Sequence, residues 1–179
     1  MRVTGGTFGG RVLRAPARGL RPTSDRVRES LFARLDVAGA AVLDLYAGSG
    51  ALGIEAYSRG AESVVFVEKA QRCVAAVRAN LAALGIGDAA TVLADDVGNA
   101  IRRLSAAGTT FDLVLLDPPY ASDEAARSLE AVAAGRVVEK EGLVVLEAPR
   151  RHPLPSADGL DLLDERRYGD TVVARFTVS

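Results

Sequence analysis

From residue 41 onward, short continuous apolar runs alternate with stretches whose apolar residues recur at helical spacing. Ala41–Tyr46, Ser63–Glu68, Ala90–Ala94, 112–117 and Gly142–Glu147 read as strands. Between them, 51–59, 70–84, a segment through Ile101 and Leu104, and a helix opened by Ser122 and running to about 134 read as helices. In 70–84 the apolar positions are Cys73, Val74, Val77, Leu81 and Leu84, one stripe of a helix. The strands are apolar throughout rather than alternating, so both of their faces are buried. That pattern, with helices interleaved, predicts an α/β protein with a parallel sheet covered on both sides by right-handed crossovers. The tail breaks the rhythm: Leu160–Arg167 and Thr171–Val178 flank the turn Tyr168-Gly169-Asp170, which makes this last pair antiparallel.

The first 36 residues follow a different pattern, and two units are expected, 1–36 and 37–179. Val3–Gly6 and Gly9–Leu13 suggest a small glycine-bent hairpin, and Asp25–Leu35 a helix capped by Thr23 or Ser24. Charge sets this segment apart as well. The chain carries a net charge of −1, yet residues 1–34 hold eight Arg against Asp25 and Glu29. Such a basic arm suits a polyanion, with Arg2, Arg11, Arg14, Arg18 and Arg21 as the candidate nucleic-acid contacts. With 179 residues, 49% of them hydrophobic, the chain can bury a sizeable core, and disorder is excluded. No apolar stretch approaches the ~20 residues of a membrane span, and no secretory signal is expected at the N-terminus. One His (His152) and one Cys (Cys73) exclude both a disulfide framework and an ordinary zinc site. Cys73 reads as a buried thiol and His152, in the loop 150–159, as a surface residue. A metal-free, cytoplasmic protein is expected, and a monomer.

Chemistry gathers at the strand ends, where open α/β sheets handle ligands. The fourth strand delivers Asp117-Pro118-Pro119-Tyr120. The two prolines make the turn rigid and rich in acceptors. Asp117 and the Pro118 carbonyl can take the two hydrogens of a planar amine, and the Tyr120 ring can stack on a flat heterocycle. The first strand ends in Asp44-Leu45-Tyr46-Ala47-Gly48-Ser49-Gly50-Ala51-Leu52-Gly53, where Gly48 and Gly50 let backbone approach a ligand. Its glycine spacing, with Glu68 some 20 residues on, also fits a dinucleotide site, so an NAD-linked oxidoreductase competes. Asp44 argues against it: a carboxylate there repels a pyrophosphate and suits the ammonium or sulfonium of S-adenosylmethionine. Glu68 is placed for the ribose hydroxyls. Asp95-Asp96 ends the third strand, and Asp96 is favoured for the adenine amine, with the Val97 N–H facing the ring.

Taken in order, these blocks resemble the RsmD-type bacterial methyltransferases: Gly5-Gly6, then Arg21-Pro22-Thr23-Ser24-Asp25-Arg26-Val27-Arg28-Glu29-Ser30-Leu31-Phe32, then Asp44 to Gly50, Asp117 to Tyr120, and Tyr168-Gly169-Asp170-Thr171. The resemblance implies a Rossmann-like class I methyltransferase sheet of seven strands, mostly parallel with an antiparallel C-terminal strand, plus the small N-terminal hairpin and helix. It further implies S-adenosylmethionine-dependent methylation of the exocyclic N2 of a guanine in 16S ribosomal RNA within an assembling small subunit. Thr23 and Arg26 would then border the cofactor pocket, with Tyr46 beside it. Asp-Pro-Pro-Tyr recognises an amide-like amine rather than guanine itself, so adenine N6 in DNA and glutamine N5 in protein remain alternative acceptors. A non-catalytic RNA-binding module would account for the arginines but not for the acids.

Overall fold

Strands β1 (Ala41–Leu45), β2 (Ser63–Val67), β3 (Ala90–Leu93), β4 (Phe111–Leu116), β5 (Val138–Pro149), β6 (Leu160–Tyr168) and β7 (Thr171–Val178) form one sheet in the order β3-β2-β1-β4-β5-β7-β6. This is a computed structural model, and it describes residues 1–15, 25–119 and 123–179. The first five strands are parallel, and β7 runs antiparallel to both β5 and β6. The chain winds outward from β1 to β3, then returns to place β4 on the other side of β1. The strand order therefore reverses between β1 and β4, a crevice that opens at the C-terminal ends of the strands.

Side-chain alternation along each strand divides the core in two. Val42, Phe66, Leu113 and Leu115 meet α1 (Asp25–Phe32), α2 (Ala51–Ser58) and α3 (Gln71–Leu84) through Leu31, Ile54 and Val77. Leu43, Leu45, Val114 and Leu116 meet α4 (Val97–Ala106) and α5 (Glu124–Gly135) through Ile101 and Leu129. Each such aliphatic side chain, once fully buried, contributes about 1.5–3 kcal/mol. The continuous apolar runs follow directly, because both faces of the central strands β1 and β4 are covered. Cys73 is buried in α3 as expected.

Residues 1–15 pack on the α2–α3 face. Val3 and Leu13 are core residues of that layer. The expected hairpin is a loose one: Arg2 and Val12 form a single antiparallel bridge, closed over a 3-10 turn at Gly6–Phe8. What holds the segment down is a polar cluster around Glu55. Its carboxylate accepts from the Thr4 N–H at 2.7 Å, the Thr4 hydroxyl at 2.7 Å, Arg59 at 2.8 Å and the buried Arg28 at 3.3 Å. Ser58 adds a bond to the Gly5 carbonyl at 2.6 Å and accepts from the Phe8 N–H at 2.8 Å.

Two boundaries differ from the sequence expectation. Helix α1 ends at Phe32 instead of Leu35, because Leu35 turns inward to join the core. Strand β5 begins at Val138, before the expected Gly142. Its pairing with β4 shifts register between Phe111 and Leu113. Gly142 sits at that bend, where a Cβ would lie 2.9 Å from Val138 and 3.0 Å from the Asp112 carbonyl. The polar run Glu139-Lys140-Glu141 faces solvent ahead of it, which hides the strand's true start from a hydrophobicity reading. Thr23 and Ser24, the expected caps, and Ser122, the expected start of α5, lie outside the described residues.

Candidate active site at the C-terminal edge of the sheet

Register brings the acids of the strand ends to one edge. Leu45 pairs with Val67 on one side and Leu116 on the other. The next residues along are Tyr46, Glu68 and Asp117, and Leu116 pairs in turn with Leu146, followed by Glu147. Asp44 lies one position back, opposite Phe66 and Leu115. Asp96 follows β3 at the same edge and caps α4, its carboxylate accepting from the Gly98 N–H at 2.9 Å.

Asp44 is the most unusual of these. It is buried, and one oxygen accepts from the Gly53 N–H at 2.9 Å. Its Oδ1 has no hydrogen-bond partner among the described residues. Loss of water pushes its pKa up to about 7; the Gly53 bond opposes the shift and the nearby Glu68 charge adds to it. A buried carboxylate oxygen without a donor is costly, and a cationic or N–H-bearing ligand relieves that cost. Gly53 can stand this close to the strand only as glycine, since a Cβ would come 2.4 Å from the Phe66 ring. Gly48 and Gly50 adopt φ 59° and 81°, the left-handed region that glycine enters freely.

Glu68 closes the loop from below. It accepts from Gly48 N–H at 3.0 Å and Ala70 N–H at 2.8 Å. Each carboxylate oxygen keeps a second lone-pair direction for a ligand hydroxyl. Asp95 and Asp96, alike in the sequence, are separated by their surroundings. Asp95 is committed to Asn99 at 3.2 Å and Arg103 at 3.1 Å, contacts that lower its pKa. Asp96 is solvent-exposed, and Val97 opens α4, where first-turn N–H groups lack helical partners. Tyr46 is held in φ 63° and shares a 2.6 Å hydrogen bond with Ser128 of α5. Burial raises its phenol to about 12, with the charges of Glu124 and Asp96 contributing, so it remains protonated.

The Asp117-Pro118-Pro119 turn lies beside this edge, with Asp117 half-buried and Pro118 buried. Tyr120, Thr23, Arg18 and Arg21 lie outside the described residues. Arg2, Arg11 and Arg14 are exposed on the N-terminal segment, and Arg26 is exposed on α1. Arg11 reaches the Ala83 carbonyl at 3.3 Å. Asn80 of α3 links the segment to the glycine loop: it accepts from Arg14 N–H at 2.8 Å and donates to the carbonyls of Arg14 at 3.0 Å and Ser49 at 2.9 Å. Ser128 and Glu124 are site residues that the sequence reading passed over. Their four-residue spacing just after the Asp-Pro-Pro-Tyr turn could have marked one helix face turned back toward the strand ends. A hollow of about 240 Å³ opens on the other side of the turn, lined by Pro118, Pro119, the start of α5 and the 148–155 segment, including His152. Among the described residues, no cluster of His, Cys, Asp and Glu could hold a metal ion, and no helix is long and apolar enough to cross a membrane.

The family model described as "Conserved hypothetical protein 95" matches residues 1–177. The Ribosomal RNA small subunit methyltransferase D of Escherichia coli K12 is 36% identical over 87% of this chain and 78% of its own length. The chain belongs to the RsmD-type methyltransferase family. The "Putative rRNA methyltransferase YlbH" of Bacillus subtilis 168 is 38% identical over 97% of both chains. A solved structure from Thermus thermophilus superposes with a TM-score of 0.88, at 34% identity and 99% coverage of each chain. The seven-stranded, mostly parallel sheet with an antiparallel strand is thus the family's methyltransferase fold. The glycine loop accordingly belongs to a methyltransferase, and the oxidoreductase reading falls.

Proposed function

We propose that this methyltransferase transfers the methyl group of S-adenosylmethionine to the exocyclic N2 of a guanine in 16S ribosomal RNA of an assembling small subunit, acting as a monomer. The observation that carries the reading is the unpartnered, buried Asp44 oxygen beside a glycine loop, across the β1–β4 crevice from Asp117-Pro118-Pro119. The names of the E. coli and B. subtilis relatives support an RNA acceptor. The residues present suit the cofactor: Asp44 for its cationic amino-acid end, Glu68 for the ribose, Asp96 and the Val97 N–H for adenine, Tyr46, Gly48 and Gly50 for the walls, and Thr23 and Arg26 for its border. When bound, it supplies an electrophilic methyl on a sulfonium.

The protein's own residues prepare the nucleophile. A guanine amino group is a weak nucleophile because its lone pair is delocalised into the ring. Asp117 accepts one of its hydrogens and the Pro118 carbonyl the other, which favours a pyramidal nitrogen and frees the lone pair. The same bonds stabilise the positive charge that develops on nitrogen during transfer, and the nitrogen then sheds its surplus proton to Asp117 or to water. The rigid prolines hold both acceptors in place, and orientation of this kind is worth up to about 7–11 kcal/mol. Tyr120 stacks on the extruded base, as enzymes that modify bases require. Residues 1–36, through Arg2, Arg11, Arg14, Arg18 and Arg21, make phosphate contacts that position the substrate without reading its sequence.

The test is labelled methyl transfer to small subunits from cells lacking the protein, followed by nucleoside analysis. The expected product is N2-methylguanosine in 16S RNA. Label in N6-methyladenine of DNA or in glutamine of a protein would replace this reading with one of the other amine acceptors.

A further inference from the structure

The hollow beside the Asp-Pro-Pro turn has no role in the chemistry above. It lies on the β4–β5 side of the crevice, whereas Asp44, Glu68 and Asp96 belong to β1, β2 and β3. Its walls are proline rings and alanine methyls: Pro118 and Pro119, Ala125 and Ala126 of α5, Ala148, and Pro153. Among the described residues, these rings and methyls can grip a flat ring by its faces, and the first-turn N–H groups of α5 at Ala125 and Ala126 lie at one end. Asp117, the proposed acceptor for the methylated amine, is not among the lining residues. At about 240 Å³ the hollow is smaller than the ~300–1,000 Å³ of sites that enclose a whole small molecule.

His152 stands at its rim on a loop that is fastened at both sides. The His152 N–H reaches the Pro149 carbonyl at 3.1 Å, and the Arg150 N–H reaches the Asp170 carbonyl of the β6–β7 turn at 2.8 Å. The surface around the rim is cationic. Arg150 and Arg151 are exposed on the loop. Arg167 sits in the register row Ala148–Val172–Arg167, on the same sheet face as the pocket wall, with Glu165 at 2.9 Å. The hollow's own acid, Asp123, is exposed and lies 4.0 Å from Arg127.

Resting on the RNA-methylation reading, we propose that this hollow receives the nucleobase next to the methylated guanine, with His152 stacked over it and Arg150, Arg151 and Arg167 on the flanking phosphates. The arginines argue for a polyanion, and the proline and alanine walls beside the His152 ring for a stacked base. The protein then holds its RNA from two directions, the N-terminal arm and this loop.

Full-length variants are compared for methylation of small subunits, subunit binding and calorimetric S-adenosylmethionine binding. Stacking of a base on a ring predicts that His152→Ala raises the subunit KM by about 5- to 100-fold. His152→Phe restores most of the loss, and cofactor affinity is unchanged in both. Arg150→Ala with Arg151→Ala lowers the salt slope of subunit binding by about two. Unchanged KM and salt slope in these variants, with wild-type methylation intact, would overturn the pocket assignment and leave the proposed function standing. Wild-type protein that binds subunits without methylating them would overturn the proposed function, while the binding of the variants still decides the pocket. Wild-type protein that does neither overturns both.

Discussion

Asp44 sits buried with its charge unfavourable in the ligand-free protein, its pKa raised to about 7. A raised folded pKa means that the native state binds the extra proton, so this group's stabilising contribution is complete below the unfolded value near 4. That contribution declines as pH rises and is gone above about 7. A cationic ligand reverses the preference and draws the proton off. S-adenosylmethionine should therefore bind more tightly as pH rises through about 7, with proton release visible as a buffer-dependent calorimetric heat. Asp44→Asn should abolish that dependence and weaken binding about 10- to 100-fold, the value of a hydrogen bond to a charged group. Equal affinity across the range would remove Asp44 from the cofactor site. At the acceptor end, the proposed stacking role of Tyr120 rests on its ring, so Tyr120→Phe should keep substantial methyl transfer and Tyr120→Ala should lose it. Comparable kcat/KM in the two variants would rule out stacking.

Among the elements, α2 has two tasks. Its N-terminus carries the glycine loop, and Glu55 and Ser58 farther along fasten residues 4–8. Burial alone would raise the Glu55 pKa, but the Thr4 and Arg59 bonds outweigh it and lower it. Its contribution is thus present above the unfolded carboxylate value and lost on acidification through the folded one. Glu55→Gln should cost about 3 kcal/mol, the lower part of the range for breaking a buried ion pair, since Arg28 retains Asp25 at 2.8 Å. Urea unfolding would show this as a lower midpoint, and a loss below about 0.5 kcal/mol, the scale of surface changes, would mean that packing alone holds the segment. This helix also shows where sequence reading stops. The alternation of strands and helices was plain because both sheet faces are apolar, and the strand-end acids were plain because each follows an apolar run. Glu55 looked like an ordinary helical acid, for nothing local announces that its partners lie 27 and 51 residues earlier. The start of β5 was masked for the opposite reason, polar residues occupying consecutive strand positions that are all open to water.

For the molecule as a whole, the reversal of strand order between β1 and β4 would, under the proposed function, separate the two substrates. Asp44, Glu68 and Asp96 lie on one side, the Asp117-Pro118-Pro119 turn and its hollow on the other. Charge is divided differently, with acids along the strand ends and exposed arginines flanking them on both sides, at the N-terminal arm and at the loop after β5. Binding of small subunits should accordingly weaken steeply with added salt, through release of condensed counterions, while S-adenosylmethionine affinity changes little. A subunit affinity flat between 50 and 200 mM salt, roughly the range over which such contacts lose most of their strength, would remove the arm from RNA binding.

Asn80 gives this division a consequence. One amide side chain grips both the arm, at Arg14, and the cofactor loop, at Ser49. A ligand that tightens these bonds at one end favours the other, and whatever the first does to the second's hold is returned in equal measure. Subunits should slow the departure of S-adenosylmethionine from the wild-type protein and leave it unaltered in Asn80→Ala, a comparison that stopped-flow dissociation can make. The enzyme would then keep its methyl donor longest once the correct RNA has arrived.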